Sequence, residues 1–203
     1  MKFLFLKICL LVFILFHMPL FADESCKYSF DPKGTTIEWT AFKFTERTGV
    51  KGTFDHFTVT KTKKADSILG TVQGLSFIIK TNSVNSNNPD RDEKIKKYFF
   101  GSLKNSPLIK GSFSKISGTN SGDATLHLEL GKTKQSLPVK FSINADTIEM
   151  NGSLDINILG LGNGLQKLNE ICNDLHKGKD GQSKLWPDVE FKVISKLNKK
   201  CKN

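Results

Sequence analysis

The sequence predicts an all-β protein with minor helices, built from about eight antiparallel strands as a sandwich or an up-and-down barrel. Three observations carry this. Apolar and polar residues alternate at period two in run after run, turn residues separate the runs, and only two segments place apolar residues at helical spacing. No internal repeat, linker or low-complexity tract divides the chain after its first residues.

Those first residues, MKFLFLKICLLVFILFHMPLFADESC, set Lys2 and Lys7 ahead of an apolar run from Ile8 to Phe16, followed by Pro19 and the small residue Ala22. This is the layout of a secretory signal peptide over residues 1–22. A membrane span needs roughly 20 uninterrupted apolar residues, and Lys7, His17 and Pro19 interrupt this run. A lipid anchor on Cys26 is disfavoured, because Asp23, Glu24 and Ser25 stand where small and apolar residues would be required. The expectation is a soluble chain exported to the periplasm, or alternatively secreted, with residues 23–203 forming one domain large enough for a sizeable core. Cleavage removes two lysines and no acid, so the formal charge of +10 falls by two to +8. A basic surface attracts anionic headgroups, diphosphates or nucleic acid. Export argues against nucleic acid as a partner, and Lys61, Lys63, Lys64, Lys199, Lys200 and Lys202 are scattered rather than gathered into a stripe.

The strands follow in chain order. Ile37, Trp39 and Ala41 alternate after the turn Asp31-Pro32-Lys33-Gly34. Leu126, Leu128 and Leu130 alternate with His127 and Glu129, between turns at 117–122 and at Gly131-Lys132. Leu137, Val139, Phe141 and Ile143 form the next face, and Val189, Phe191 and Val193 the last. The clearest run sets Ile148, Met150, Gly152, Leu154, Ile156 and Ile158 against Glu149, Asn151, Ser153, Asp155 and Asn157, the signature of a half-buried antiparallel strand.

Two segments read as helical. In SVNSNNPDRDEKIKKYFF, residues 83–100, Asn87, Asn88 and Pro89 break a strand, and Asp90 with Glu93 three residues on forms a capping box. A short lid helix near 91–100 follows, with Ile95, Phe99 and Phe100 as an apolar patch to bury against the sheet or close a barrel end. A calcium loop through Asn85, Asn87, Asp90 and Asp92 fails on spacing and lacks the turn glycine. The second helix, near 163–176, repeats Leu165, Leu168, Cys172 and Leu175 on one face.

Cys26, Cys172 and Cys201 allow one bridge with one thiol left over, and the pattern does not choose among the three pairings. No CxxC or Cys/His spacing suggests zinc, so no metal is expected. His56, His127 and His176 read as structural or solvated, the last as a cation at a helix C-terminus. With no Gly-x-Ser-x-Gly elbow, HExxH or phosphate-cradling glycine loop, no catalytic residue, cofactor or enzymatic activity is expected.

TNSVNSNNPDRDEKIKKYFF, residues 81–100, resembles the central signature of the YceI-like, polyisoprenoid-binding proteins, in the Asn-rich turn, the Arg91-Asp92 pair and Phe99. YSFDPKGTTIEW at 28–39, VKGTFDHF at 50–57, SPLIKGSFSKI at 106–116 and ELGKTKQSLPVKFSI at 129–143 resemble other family pieces in order, so the resemblance spans almost all of residues 28–196. It implies a lipocalin-like antiparallel β-barrel holding a long-chain amphiphile: an isoprenoid, a quinone or a fatty-acyl lipid. Many members carry a histidine where this chain has Phe42, Lys43 and Phe44, and residues 160–191 replace the usual late strands with a helix bearing a cysteine. That departure resembles a cysteine-bearing branch of the family and implies a Cys26–Cys172 bridge, with Cys201 on a mobile tail.

A small barrel either fills its interior with side chains or leaves it open for one ligand. The candidates for a lining are Trp39, Phe42, Phe44, Phe54, Phe57, Phe77, Phe99, Phe113, Phe141 and Met150, and the candidates for polar headgroup contact are Lys43 and Arg91. The expected role is carriage, storage or stress protection by binding a lipid or isoprenoid. The alternatives are an envelope structural or interaction protein with a packed barrel and, third, a lipid-modifying enzyme. Transient contact with a membrane surface and a homodimeric state are compatible with the sequence, which leaves the oligomeric state open.

Overall fold

The computed structural model describes residues 25–103 and 108–202, so the expected signal peptide at 1–22 lies outside the described residues. Its main sheet contains β2 (Thr35–Lys43), β3 (Thr48–Phe54), β4 (Phe57–Lys61), β5 (Ser76–Lys80), β6 (Val84–Asn85), β7 (Leu108–Gly118), β8 (Ser121–Leu130), β9 (Thr133–Asn144), β10 (Thr147–Asp155) and β11 (Leu185–Lys196). Neighbours pair antiparallel in the order β4-β5-β7-β8-β9-β10-β11-β2-β3-β6. The predicted antiparallel barrel is therefore present, and its closure depends on two bent strands. Only Asp55 and His56 separate β3 from β4, and a 3₁₀ turn at Thr81–Ser83 separates β5 from β6. The Asp55 amide donates to the Ser83 carbonyl at 3.0 Å and the Lys80 amide to the His56 carbonyl at 3.1 Å. These bonds carry the pairing across both bends, so the two apparent edges are one seam and no barrel edge is left open among the described strands. Taking each bent pair as one strand, the ten become eight.

Alternation places the core as expected on most strands. Ala124, Leu126, Leu128 and Leu130 of β8, and Leu137, Val139 and Phe141 of β9, are buried. The alternation of β10 stops two steps early: Asp155 accepts from the Asn157 amide and starts a 3₁₀ turn at Ile156–Leu159, so Ile156 is buried whereas Ile158 is exposed.

Helices cover the two ends. At one end lies α1 (Ile68–Val72), capped by Ser67, whose hydroxyl accepts from the Gly70 amide. A single turn of five residues is too short to show a period, and sequence reading missed it. At the other end lie α2 (Pro89–Lys94) and α3 (Gly162–Ile171). The cap of α2 is Asn88, whose Oδ1 accepts from the Arg91 amide at 3.0 Å, rather than Asp90. With Pro89 preset for the first helical position, the helix begins one residue before the expected cap. Glu93 consequently points away from any capping box and pairs with Lys96. The chain continues through a π turn at Ile95–Phe99 and a 3₁₀ turn at Phe100–Ser102. After α3, a 3₁₀ turn at Asn173–His176 changes the helical phase, which leaves Leu175 59% exposed instead of on the buried face with Leu165 and Leu168.

A separate two-stranded sheet joins β1 (Ser25–Ser29) to β12 (Asn198–Lys202), with Cys26 directly opposite Cys201. These two cysteines form the disulfide, and Cys172 is a buried free thiol. The expected Cys26–Cys172 bridge is thus corrected: Cys172 sits beyond α3 at one end of the barrel, and residues 198–202, expected to be a mobile tail, pair with β1 and carry the partner cysteine across to Cys26.

Candidate functional site: an apolar cavity inside the barrel

The barrel encloses a cavity of about 250 Å³ that runs from α1 to the α2–α3 end. On β2, Ile37, Trp39 and Ala41 face it in alternation, while Phe54, Phe57, Phe77 and Phe113 reach it from the strands across the seam. Val72 and Leu75 bound one end, and Ile95, Phe99, Leu165 and Leu168 the other. Of the polar residues in the wall, the Thr35 and Ser195 hydroxyls lie 2.7 Å apart and the Thr71 hydroxyl donates to the Tyr28 and Ser67 carbonyls at 3.2 Å, while Glu38 also borders the cavity. With these few polar residues among a lining that is otherwise apolar and aromatic, the wall presents little to a hydrogen-bonding ligand and much to an apolar one.

Three aromatic rings widen the wall by lying over glycines of the neighbouring strand. Trp39 faces Gly52, Phe77 faces Gly111 and Phe191 faces Gly152 in register. A Cβ at Gly111 would stand 2.2 Å from the Phe77 ring, and one at Gly152 would stand 2.4 Å from the Phe191 ring. Only glycine permits this stacking, which is the meaning of a glycine in the middle of an alternating strand.

Of the ten expected lining residues, Trp39, Phe42, Phe54, Phe57, Phe77, Phe99, Phe113 and Met150 border the cavity. Phe44 does not: β2 ends at Lys43, and Phe44 enters a turn with φ of 63°, its ring 4.4 Å from the Lys43 ammonium. Phe141 is packed within the buried core instead of bordering the open space. Sequence reading missed Trp186 and Phe191 as lining residues, although the alternation of 189–193 and the unexplained Gly152 were available signals. Trp186 is held by its indole N–H, which donates to the Phe44 carbonyl at 2.7 Å, and the Lys184 ammonium lies 3.6 Å from its ring centre.

The expected headgroup residues come together at the α2–α3 end. Lys43 is the last residue of β2, next to Phe42, which borders the cavity, and its ammonium donates to the Leu175 carbonyl at 3.2 Å. Arg91 stands one helical turn before Ile95. Burial, and secondarily the Arg91 charge, lower the Lys43 ammonium from its ordinary value. His176 is corrected from a helix-end cation to a neutral imidazole: burial, then Lys43 and Lys94, depress its pKa to about 4, and Nδ1 bonds Asn169 Oδ1 at 3.0 Å. His127 lies on the outer face of β8 between the Ser114 and Ser136 hydroxyls at 2.7 and 2.8 Å, away from the cavity. Among the described residues, no group of three or more His, Cys, Asp or Glu side chains is placed to hold a metal ion.

Fold and cavity define a closed antiparallel barrel of the lipocalin-like kind with an apolar interior. The chain belongs to the YceI-like domain family, whose profile matches residues 28–185. Among solved structures it is similar to a polyisoprenoid binding domain from Saccharophagus degradans implicated in plant cell wall breakdown, with TM-score 0.59 and 12% identity over 86% of this chain and 98% of that one. It is also similar to BcnA of Burkholderia cenocepacia, with TM-score 0.57 and 14% identity over 83% of this chain and 99% of that one. At such identities the likeness concerns the fold. Comparison with the curated proteins returned no match.

Proposed function

We propose that the protein binds one long-chain amphiphile, an isoprenoid, quinone or fatty-acyl lipid, with its chain inside the barrel. The observation that carries this reading is the cavity itself, an apolar space bordered by aromatic rings whose neighbouring glycines leave them room. Family membership and the likeness to the polyisoprenoid binding domain of Saccharophagus degradans support it. At about 250 Å³ the space lies just below the roughly 300–1,000 Å³ of drug-sized ligand sites, which suits one slim chain better than a fused ring system. Each buried methylene contributes about 0.8 kcal/mol, so about ten would offer some 8 kcal/mol before ordering costs are subtracted. That gross figure corresponds to roughly micromolar affinity, so micromolar binding is the ceiling for a chain of this length and the ordering costs must be offset by further contacts.

The basic, disulfide-bonded chain and its leader-like first residues support export to the periplasm and a role in carriage or storage, with transient contact at a membrane surface for loading. Native mass spectrometry with organic extraction, on protein purified from an exporting host, is expected to find a long-chain lipid. Protein that emerges empty and fails to take up a fluorescent fatty-acid probe would leave a packed structural barrel as the better reading.

A further inference from the structure

Resting on that reading, we propose that Lys43, Arg91 and Lys94 form a cationic collar at the α2–α3 end of the cavity that selects amphiphiles with an anionic headgroup, a carboxylate or a phosphate, over neutral ones. Three elements converge there. β2 brings Lys43 next to Phe42 and opposite Leu185 in register, and both Phe42 and Leu185 border the cavity. α2 brings Arg91 one turn ahead of Ile95, which also borders it, and Lys94 beside Ile95. The turn after α3 brings His176 and the Leu175 carbonyl that holds the Lys43 ammonium.

Among the described residues, Lys43, Arg91 and Lys94 stand in no ion pair; Glu38, the acid of β2, lies five residues before Lys43, about 16 Å along the strand, and most acids of the neighbouring elements are engaged elsewhere. Asp92 accepts from Ser86, Glu93 pairs with Lys96, Asp174 with Lys177 and Asp188 with Arg47, while Asp90 is exposed in the first turn of α2. Half-buried cations that repel one another are costly without a counter-ion. Arg91 is felt at Lys43, and both Lys43 and Lys94 are felt at His176, so the cations are close enough to act on one group. An anion entering headgroup-last, with its chain already in the cavity, would meet all three and relieve their repulsion.

The test compares matched pairs that differ only in the headgroup, palmitate against hexadecanol and farnesyl phosphate against farnesol, by calorimetry on the delipidated full chain at low and at high salt. The acid of at least one pair is expected to bind roughly tenfold or more tightly than its alcohol, with the advantage shrinking in high salt. Preference confined to the first pair assigns a carboxylate ligand, and preference confined to the second a phosphate ligand. In Lys43→Gln/Arg91→Gln the advantage should vanish while alcohol binding persists, and thermal melting confirms that this variant is folded. Should it not fold, the single variants are compared in its place. Equal binding of acid and alcohol by the wild-type chain overturns the collar and leaves the cavity reading standing. Failure of every ligand overturns both.

Discussion

Asp92 Oδ1 accepts two hydrogen bonds from Ser86, one from its backbone amide at 2.9 Å and one from its hydroxyl at 2.6 Å. Both residues are buried, Asp92 to 7% exposure, and the pair ties the first turn of α2 back to the end of β6. The polar stretch between two strand segments is thereby explained. Its asparagines turn and cap the chain, its aspartate anchors the helix, and its apolar end, Ile95 with Phe99, closes the cavity.

Replacing Asp92 by alanine leaves two buried donors without an acceptor, so Asp92→Ala is expected to cost about 1–3 kcal/mol. The loss should appear as a lower denaturation midpoint and as faster amide exchange over residues 86–100. Unchanged exchange in that segment would mean that packing of Ile95 and Phe99, rather than the aspartate, holds the helix in place.

The disulfide gives a second prediction. Cys26 and Cys201 are separated by 175 residues, and for a loop of that length the chain-entropy model gives roughly 4–5 kcal/mol of stabilisation. Non-reducing peptide mapping is expected to find Cys26 joined to Cys201. Cys172, at 5% exposure, should resist alkylation until the chain is unfolded. Recovery of a peptide joining Cys172 to either of the others would refute the pairing.

The glycine-to-aromatic stacking gives a third. In Gly111→Ala the new methyl must push the Phe77 ring toward the cavity, which is expected to cost about 1–3 kcal/mol by overpacking and to weaken binding of a fluorescent fatty-acid probe. Adding Phe77→Leu should recover most of both losses, because the smaller side chain vacates the space that the methyl needs. A double variant that binds no better than Gly111→Ala would show that the ring is not the element displaced.

How far the sequence could be read depended on the length of each pattern. The alternation of Leu126–Leu130 or Ile148–Leu154 spans enough residues to show its period, and those strands lie where alternation puts them. The short capped turn of α1 has no period to show, and NKKCK, the whole of β12, is exposed and mostly charged, so neither is visible as an element. The cap of α2 was off by two residues because Asn87, Asn88 and Asp90 are all competent caps and only the position of Pro89 separates them. The cysteine pairing depended on β1 meeting β12, a contact between chain ends that leaves no local trace. Of the ten residues that aromatic content and alternation point to, eight border the cavity, whereas Phe44 stands in a turn and Phe141 in the packed part of the same interior.

His176 sets the acid limit of the α3 end. Its imidazole is half-buried against Asn169, and burial followed by Lys43 and Lys94 lowers its pKa from 6.5 to about 4. Because the folded state holds this proton less tightly than the unfolded chain, the unfolded state binds more protons between these two values, and stability rises with pH through that window. The neutral ring's contribution is therefore fully present above about pH 6.5 and is lost as the pH falls toward 4. Urea midpoints measured from pH 7.5 down to 4 are expected to decline, with protection of residues 165–176 lost first. In His176→Gln, which retains a hydrogen-bonding partner for Asn169 but cannot be protonated, the decline should be shallower over the same range. An identical slope in the variant would place the acid sensitivity in the carboxylates of the outer ion pairs instead of at this histidine.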